Sequence, residues 1–348
     1  MKNSKGGALG WALAGWTVLA ACSGCADDTA APHSSKRSAN TGAAGSKASA
    51  AKPAEKYGAP LKVSITVPDV EPGVEGTRCV QVRLGNKAPL NIGRIHNRLR
   101  SHSHHFILSL VEDPAATERE LFECPPFRAP LTGAPLTITQ KADENIQLPD
   151  GVGYALGADQ LMHLELHYIN PDSETTDVTA EAEIYPLAGD EPIQQAGFLV
   201  VGNLNIEIPP MSEHSSGEVF AAQPAGLDKA HYYAITGHTH RFGTGIRVGF
   251  ADTGTADPNW LYEPKPFEWD SPPVEYLDPP MQVPEGGGFR FNCDWKNPTD
   301  QTIRYGESAL TEMCFFWAYY YPRDPMQKVV LAGIDQSMYA KDAGMAQH

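Results

Sequence analysis

Apolar and polar residues alternate with a period of two along several short stretches of this chain, notably 61–67, 79–84, 161–168 and 246–251. Because successive side chains of a β-strand point to opposite faces, this period predicts strands with one buried face. Glycine and proline interrupt the pattern at short intervals, and no long segment has the 3.6-residue period of a helix. The sequence therefore predicts an all-β protein built of antiparallel β-sandwiches.

The patterned region is long enough for two domains. Residues 58–348 are too many for one small hydrophobic core, and the turn-rich segment 186–192 is a natural boundary between two domains. We therefore expect an N-terminal domain over 58–190, a C-terminal domain over 191–330 and a C-terminal tail over 331–348.

The first residues have the features of an export signal. A lysine-containing start precedes the apolar stretch 8–19, which is too short to span a bilayer comfortably. The stretch leads into Leu-Ala-Ala-Cys22, which resembles a bacterial lipobox and implies cleavage before Cys22 and lipidation of its thiol. We expect a signal peptide over 1–21 and a flexible tether over 22–57. Ser23 rather than Asp follows the cysteine, which favours the outer membrane; an ordinary signal peptide with a chance cysteine is the alternative.

Charge narrows the choice of partners. The formal net charge is −15, and the first 57 residues are themselves basic, so the remainder is more acidic still. Nucleic acid requires a basic surface, and we expect no nucleic-acid partner. We interpret the acidity as an aid to the solubility of an exported protein.

The cysteines fall into two groups. Cys22 and Cys25 belong to the export segment and the tether, and four others remain in a compartment that favours disulfides. Four cysteines allow three pairings, and buried free thiols are a further alternative. Proximity along the chain favours Cys79–Cys124 and Cys293–Cys314.

Five histidines and one methionine are the side chains best suited to bind a metal. Magnesium and calcium prefer oxygen ligands, whereas a thioether suits Cu(I) and imidazole suits both oxidation states of copper. The set therefore favours copper. Its members are His104, His105, His167, His238, His240 and Met313.

Strand geometry groups these residues. His238 and His240 would point to the same face of a strand and form a chelating pair. His104 and His105 would face opposite sides, so one metal can take both only if the backbone kinks or the rings use different nitrogens. His167 is the candidate third histidine for that metal.

Two further patterns concern the surroundings of the ligands. His163, Glu165 and His167 share one face of their predicted strand, which indicates a polar site; whether His163 or His102 also binds copper is left open. Near the C-terminus, Met313 lies in a strand whose alternate residues are predicted to face a cleft, with Cys314 anchoring the strand from behind.

The order of these motifs resembles the catalytic core of the copper type II, ascorbate-dependent monooxygenases, the family of peptidylglycine α-hydroxylating monooxygenase and dopamine β-monooxygenase. The shared motifs are His-His at 104–105, His-Tyr at 167–168, His-Thr-His at 238–240 and Glu-Met-Cys at 312–314, within about 63–322. The resemblance implies two antiparallel jelly-roll β-sandwich domains that face each other across a cleft, with one copper ion in each. It also matches the two disulfides favoured above.

The resemblance further implies C–H hydroxylation with dioxygen and an external one-electron reductant, ascorbate or another donor. One copper stores and delivers an electron and is bound by His104, His105 and His167. The other binds dioxygen and attacks a small-molecule substrate, and its ligands are His238, His240 and Met313.

The substrate of this chain is expected to differ from a peptide. The peptide-amidating enzyme holds the substrate carboxylate with Arg, Asn and Tyr, and the matching positions here are Thr236, Phe315 and Trp317. Because the charged clamp is missing, we expect an apolar or aromatic substrate.

Three other interpretations make different predictions. A non-catalytic copper-binding envelope lipoprotein would bind copper without turnover. A zinc hydrolase would be active without reductant and would give Met313 no role. A carbohydrate-binding jelly roll would bind no copper tightly.

Overall fold

The structure is a computed structural model that describes residues 56–127, 134–189 and 191–323, together with the backbone of 330–332. These residues form 23 β-strands, so the predicted all-β class is confirmed. No helix in these ranges is long and apolar enough to cross a membrane. The predicted signal peptide, Cys22 and most of the predicted tether lie outside the described residues.

The strands follow one another closely along the chain. The first ten are β1 (Leu61–Val70), β2 (Glu75–Arg83), β3 (Leu90–Leu99), β4 (Ser103–Leu110), β5 (Arg119–Glu123), β6 (Ala134–Thr139), β7 (Asp143–Gln147), β8 (Val152–Leu156), β9 (Leu161–Ile169) and β10 (Thr176–Pro186). The others are β11 (Gln194–Gln195), β12 (Gly197–Gly202), β13 (Glu207–Ile208), β14 (Ser212–Ser215), β15 (Val219–Ala222), β16 (His231–His238), β17 (Gly243–Ala251), β18 (Asn259–Tyr262), β19 (Glu275–Met281), β20 (Gly288–Asn297), β21 (Ile303–Arg304), β22 (Phe315–Tyr321) and β23 (Val330–Ala332).

Strands β1–β11 form two sheets around one hydrophobic core, which we call the N-terminal sandwich. The first sheet has the order β1-β10-β3-β8-β11, with β7 paired to β3, and the second has the order β5-β2-β9-β4-β6. The period-two pattern explains this arrangement: Val63, Ile65 and Val67 of β1 are buried, while the residues between them are exposed.

The rest of the chain forms a second pair of sheets, which we call the C-terminal sandwich. One sheet has the order β19-β16-β22-β12-β23, and the other has the order β14-β20-β17-β18, with β15 paired to β20. A separate core of buried side chains lies in this sandwich. Strands β13 and β21 form a small two-stranded sheet beside it.

The sheet containing β22 is buried on both faces. Phe316 and Tyr320 belong to the core of the C-terminal sandwich, whereas Trp317 and Tyr319 belong to the core of the N-terminal sandwich. This is why β22 has a continuous apolar sequence rather than an alternating one. The two sandwiches are therefore joined through packed aromatic side chains.

The domain boundaries inferred from the sequence stay predictions, and three strand contacts bear on them. Tyr57, placed in the tether, already forms a bridge with Leu187, so the folded chain starts before residue 58. Strand β11 follows the proposed boundary at 190 but pairs with β8 of the N-terminal sandwich. Strand β23 extends the C-terminal sheet beyond 330 to Ala332.

Both disulfides favoured by proximity are present. Cys79 on β2 is bonded to Cys124 after β5, and Cys293 on β20 is bonded to Cys314 just before β22. The second bond joins the two sheets of the C-terminal sandwich. Cys314 belongs to the core of that sandwich and Met313 to a separate cluster, so their opposite facing agrees with the prediction. The prediction that Met313 lies in a strand and faces a cleft is wrong, because β22 begins at Phe315 and Met313 is buried.

Candidate metal centre

An irregularity in β4 brings His104 and His105 to one place. Ser103 pairs with Tyr168 and His105 pairs with His167, so His104 is an extra residue in β4 and forms a β-bulge. The ring centroids of His104 and His105 lie 5.3 Å and 4.8 Å from that of His167. The bulge supplies the backbone kink that a shared metal requires.

His238 and His240 also lie side by side, with ring centroids 5.2 Å apart. The prediction that both sit in one regular strand is wrong, because β16 ends at His238. His240 follows in a loop whose position is set by Glu312 and Thr311. The backbone N–H of His240 donates to Glu312 Oε2, and its Nδ1 lies 3.1 Å from the carbonyl oxygen of Thr311.

Glu312 organises this loop from within the core. Its carboxylate accepts hydrogen bonds from the backbone N–H groups of His240, Phe242 and Met313 and from the indole N–H of Trp295, at 2.8–3.3 Å. Burial raises the pKa of Glu312 to about 7, and the four donors oppose that rise by favouring the charged form. Glu312 belongs to the Glu-Met-Cys motif, but no residue pattern indicated this role. Glu312 holds the His240 loop against the segment of Met313.

Met313 is nearly fully buried just before β22 and forms a small cluster with Phe315. Phe127 packs against this cluster, and its ring centroid lies 4.7 Å from that of His105 and 6.0 Å from that of His238. Phe127 therefore connects the methionine to both groups of histidines. No pattern in the sequence pointed to Phe127.

The two groups of histidines are in contact with each other. The ring centroid of His104 lies 6.2 Å from that of His238 and 6.4 Å from that of His240, and His105 is 6.2 Å from His238. All of these imidazoles are buried. The expected cleft between the two sets is therefore closed, because the β22 sheet packs directly on the N-terminal sandwich.

Glu75 forms a polar link between the sandwiches beside the first group. Its carboxylate accepts from Ser308 Oγ and from the backbone N–H of Ala309, both in the C-terminal half. It also lies 3.1 Å from His167 Nε2, and this hydrogen bond is the main reason why the pKa of Glu75 falls to about 2. Because a carboxylate only accepts, His167 Nε2 carries a proton.

His167 also contacts His105. Its Nδ1 lies 3.1 Å from His105 Nε2, and one of these two nitrogens donates to the other. The half-buried Glu75 carboxylate, His167 and His105 therefore form one chain of hydrogen bonds.

Several ring nitrogens of the cluster are available for a metal. His104 Nε2, His105 Nδ1 and His238 Nε2 are buried and have no hydrogen-bond partner among the described residues. A buried polar atom without a partner is costly and calls for a ligand. Burial lowers the pKa of His104 to about 3 and that of His240 to about 4, and it holds the pKa values of His105 and His238 well below the usual value for histidine. Neutral imidazoles with free lone pairs beside a thioether fit copper.

The two additional histidines lie outside this cluster. His102 Nε2 is 3.0 Å from Asp172, and His163 Nδ1 is 3.4 Å from Gln81. A ligand atom of His163 also comes within 4.8 Å of Glu165 and Cys79. Because the Cys79 sulfur is in a disulfide, it cannot act as a thiolate ligand, and we assign no metal there.

The predicted substrate residues lie next to His238. Thr236 pairs with Trp317 and His238 pairs with Phe315, so all four side chains share the face of the sheet toward the N-terminal sandwich. The Trp317 ring centroid is 5.4 Å from that of His238, and the Thr236 hydroxyl donates to the carbonyl of Pro273. All three substrate candidates are almost fully buried. A substrate can reach them only if the packing opens.

Two features on the outside of the cluster were missed by the sequence analysis. The Trp269 ring, from a loop of the C-terminal half, lies 5.3 Å from His104. On another side, a cavity of about 600 Å³ reaches His167 and is lined by Glu75, Arg78 and Ser308 among others. Of the five histidines, His167 thus lines a cavity that is open to solvent.

Comparison with known proteins agrees with this chemistry. Residues 194–341 match the family described as copper type II ascorbate-dependent monooxygenase, C-terminal domain. The match covers less than half of this chain, and the description of the matched family names copper and ascorbate. The matched region contains His238, His240 and Met313.

Solved structures show only distant likeness. N-glycanase F (PNGase F) has 10% sequence identity and a TM-score of 0.32, covering 77% of this chain and 97% of its own. PBCV-1 VP54, fitted into a reconstruction of the virophage Sputnik, has 8% identity and a TM-score of 0.25, covering 74% and 93%. The Macrobrachium rosenbergii nodavirus structure has 9% identity and a TM-score of 0.19, covering 83% and 96%. We draw nothing about function from these.

Proposed function

We propose that this protein is an exported copper-dependent monooxygenase that hydroxylates a C–H bond of an apolar or aromatic small molecule, using dioxygen and an external one-electron reductant. The observation that carries the proposal is the convergence of five buried histidines, three of them with unpartnered ring nitrogens, close to Met313. The family match over the C-terminal half supports the same chemistry.

Each residue of the centre has a role in this proposal. His238, His240 and Met313 would hold one copper, and the other would be held by His104, His105 and His167. Bound copper supplies the redox chemistry with dioxygen, which no side chain here can perform. Burial keeps His104, His105, His238 and His240 neutral. Glu75, Glu312 and Thr311 orient the rings or the loop that carries them, and the packing of the two sandwiches limits access of bulk water.

Copper loading of the tether-free protein tests the proposal directly. We expect two copper ions per chain and steady oxygen uptake that requires both reductant and an organic substrate. His104→Ala should reduce the count to one, because the three-histidine set loses a ligand. One tight copper in the wild type, unchanged by His104→Ala, would remove the three-histidine site.

The substrate class is tested by direct competition. Because Thr236, Phe315 and Trp317 provide no cation, a peptide carboxylate loses hydrogen bonds to a charged group worth about 1.5–3 kcal/mol each. Aromatic compounds gain apolar burial and stacking instead. We expect apolar aromatic amines, phenols or alkylbenzenes to be turned over faster than a glycine-extended peptide at equal concentration. Efficient peptide turnover, saturating at micromolar levels, would contradict this assignment.

A non-catalytic copper-binding envelope lipoprotein is the alternative function. It shares the copper stoichiometry of the monooxygenase, so copper binding alone does not separate the two. Donor-driven oxygen consumption with a hydroxylated product excludes it. Full copper loading without turnover of any substrate in the panel would favour it.

We also propose that the mature chain is anchored to the bacterial envelope, with the outer membrane favoured, through lipid on Cys22. The lipobox-like Leu-Ala-Ala-Cys motif and the following Ser23 support this. Cys22→Ser should release the chain from the membrane fraction, because lipidation supplies the apolar anchor. Palmitate labelling of the wild type is the measurement, and an unlabelled wild type would argue against the anchor.

A further inference from the structure

Gln140 makes a contact from the N-terminal sandwich to the second group of histidines. It follows β6, an edge strand that packs near β12 of the C-terminal sandwich, and its side chain is buried. Gln140 Oε1 lies 2.6 Å from His238 Nδ1, and its Nε2 lies 3.1 Å from the carbonyl oxygen of Gly237. One amide thus contacts two consecutive residues of β16 from the other sandwich.

The Gly237 carbonyl fixes the orientation of that amide. A carbonyl oxygen only accepts hydrogen bonds, so the NH₂ group of Gln140 must face it. The Gln140 oxygen therefore faces His238 Nδ1, and this nitrogen must carry the proton. A neutral imidazole has one N–H, so the lone pair of His238 lies on Nε2. That atom is buried without a hydrogen-bond partner among the described residues.

We propose that Gln140 is a positioning residue that fixes His238 in the tautomer whose Nε2 binds the metal, and that it does so only while the two sandwiches are in contact. This rests on the proposed copper function. Ligating histidines usually donate their second N–H to an oxygen, which sets both the tautomer and the ring orientation. Here the oxygen comes from the opposite sandwich, so metal binding at His238 depends on the packing of the two halves.

His240 provides an internal comparison. Its Nδ1 faces the carbonyl oxygen of Thr311, which belongs to the same half of the chain. The tautomer of His240 is therefore set without Gln140. A substitution of Gln140 should therefore change the tautomer of His238 and leave the tautomer of His240 unchanged.

The first experiment uses the metal-free protein labelled with ¹⁵N-histidine. In the wild type, long-range ¹H–¹⁵N spectra should show the Nδ1–H tautomer for both His238 and His240. In Gln140→Leu, His238 should become a mixture of tautomers while His240 is unchanged. Gln140→Glu keeps an acceptor oxygen and should preserve Nδ1–H on His238, a rescue that a purely structural role does not explain.

The second experiment measures copper affinity. Gln140→Leu should weaken one of the two copper sites by about 10–100-fold, as is typical for residues that orient a ligand, and leave the other unchanged. Gln282→Leu, at an exposed glutamine, is the matched control and should bind copper like the wild type. Circular dichroism tests whether each variant is folded. If Gln140→Leu is unfolded, the same measurements are made on Gln140→Met.

The outcomes separate this role from the copper function. An Nε2–H tautomer of His238 in the wild type would overturn the proposal for Gln140. So would a Gln140→Leu variant with unchanged tautomer and unchanged copper affinity. The wild type could have the Nδ1–H tautomer of His238 and lose it in Gln140→Leu, yet bind no copper. That result would refute the proposed function and still support Gln140 as the residue that fixes the tautomer of His238.

Discussion

Met313→Ile should abolish hydroxylation and leave the fold intact. Isoleucine roughly preserves the volume of methionine, so the change should cost less than about 1.5 kcal/mol of stability. It removes the thioether from the cluster of Met313 and Phe315, which Phe127 links to the imidazoles. Loss of a residue that only orients a metal ligand typically lowers activity or metal affinity about 10–100-fold. Loss of Met313, a direct ligand in this proposal, should lower turnover by at least as much.

X-ray absorption on the reduced, copper-loaded protein is the decisive measurement for Met313. The wild type should show a copper–sulfur contribution that Met313→Ile lacks. Met162→Ile is the matched control, because Met162 is also fully buried but lies in the core of the N-terminal sandwich. An identical sulfur signal in the wild type and Met313→Ile would exclude this methionine as a ligand.

Glu312→Ala should produce the largest loss of stability among the residues of the centre. The change leaves four buried N–H groups without an acceptor, from His240, Phe242, Met313 and Trp295. Each unsatisfied buried donor costs about 1–3 kcal/mol, although such costs are not additive. We expect a destabilisation on the order of 4 kcal/mol, which corresponds to a melting temperature lower by roughly 10 °C.

Thermal unfolding of the metal-free protein checks this prediction without involving activity. Glu312→Gln keeps one acceptor oxygen and should fall between the wild type and Glu312→Ala. Glu285→Ala, at an exposed position, should melt like the wild type. A melting temperature of Glu312→Ala within about 2 °C of the wild type would show that the loop carrying His240 does not depend on this carboxylate.

Residue patterns along the chain were enough to predict the strand content and much of the chemistry. Period-two alternation depends only on which face of a strand is buried, so β1, β2, β9 and β17 could be recognised locally. Spacing along the chain favoured the correct disulfides, and the order of the histidine motifs indicated the family that the match over 194–341 supports. Alternation also predicted that Cys314 and Met313 face different clusters, although both lie just before β22 rather than in a strand.

The way in which the ligands meet follows from contacts that residue patterns do not encode. The bulge at His104 arises from the pairing of β4 with β9, and a residue pattern does not encode such a register shift. Strand β16 ends at His238, and the loop after it is hydrogen-bonded to Glu312, which lies far along the chain. Contacts between residues distant in sequence likewise brought Glu75 to His167 and Gln140 to His238. The expected cleft is closed because the β22 sheet buries both faces, and this depends on two sandwiches packing together rather than on the periodicity of either one.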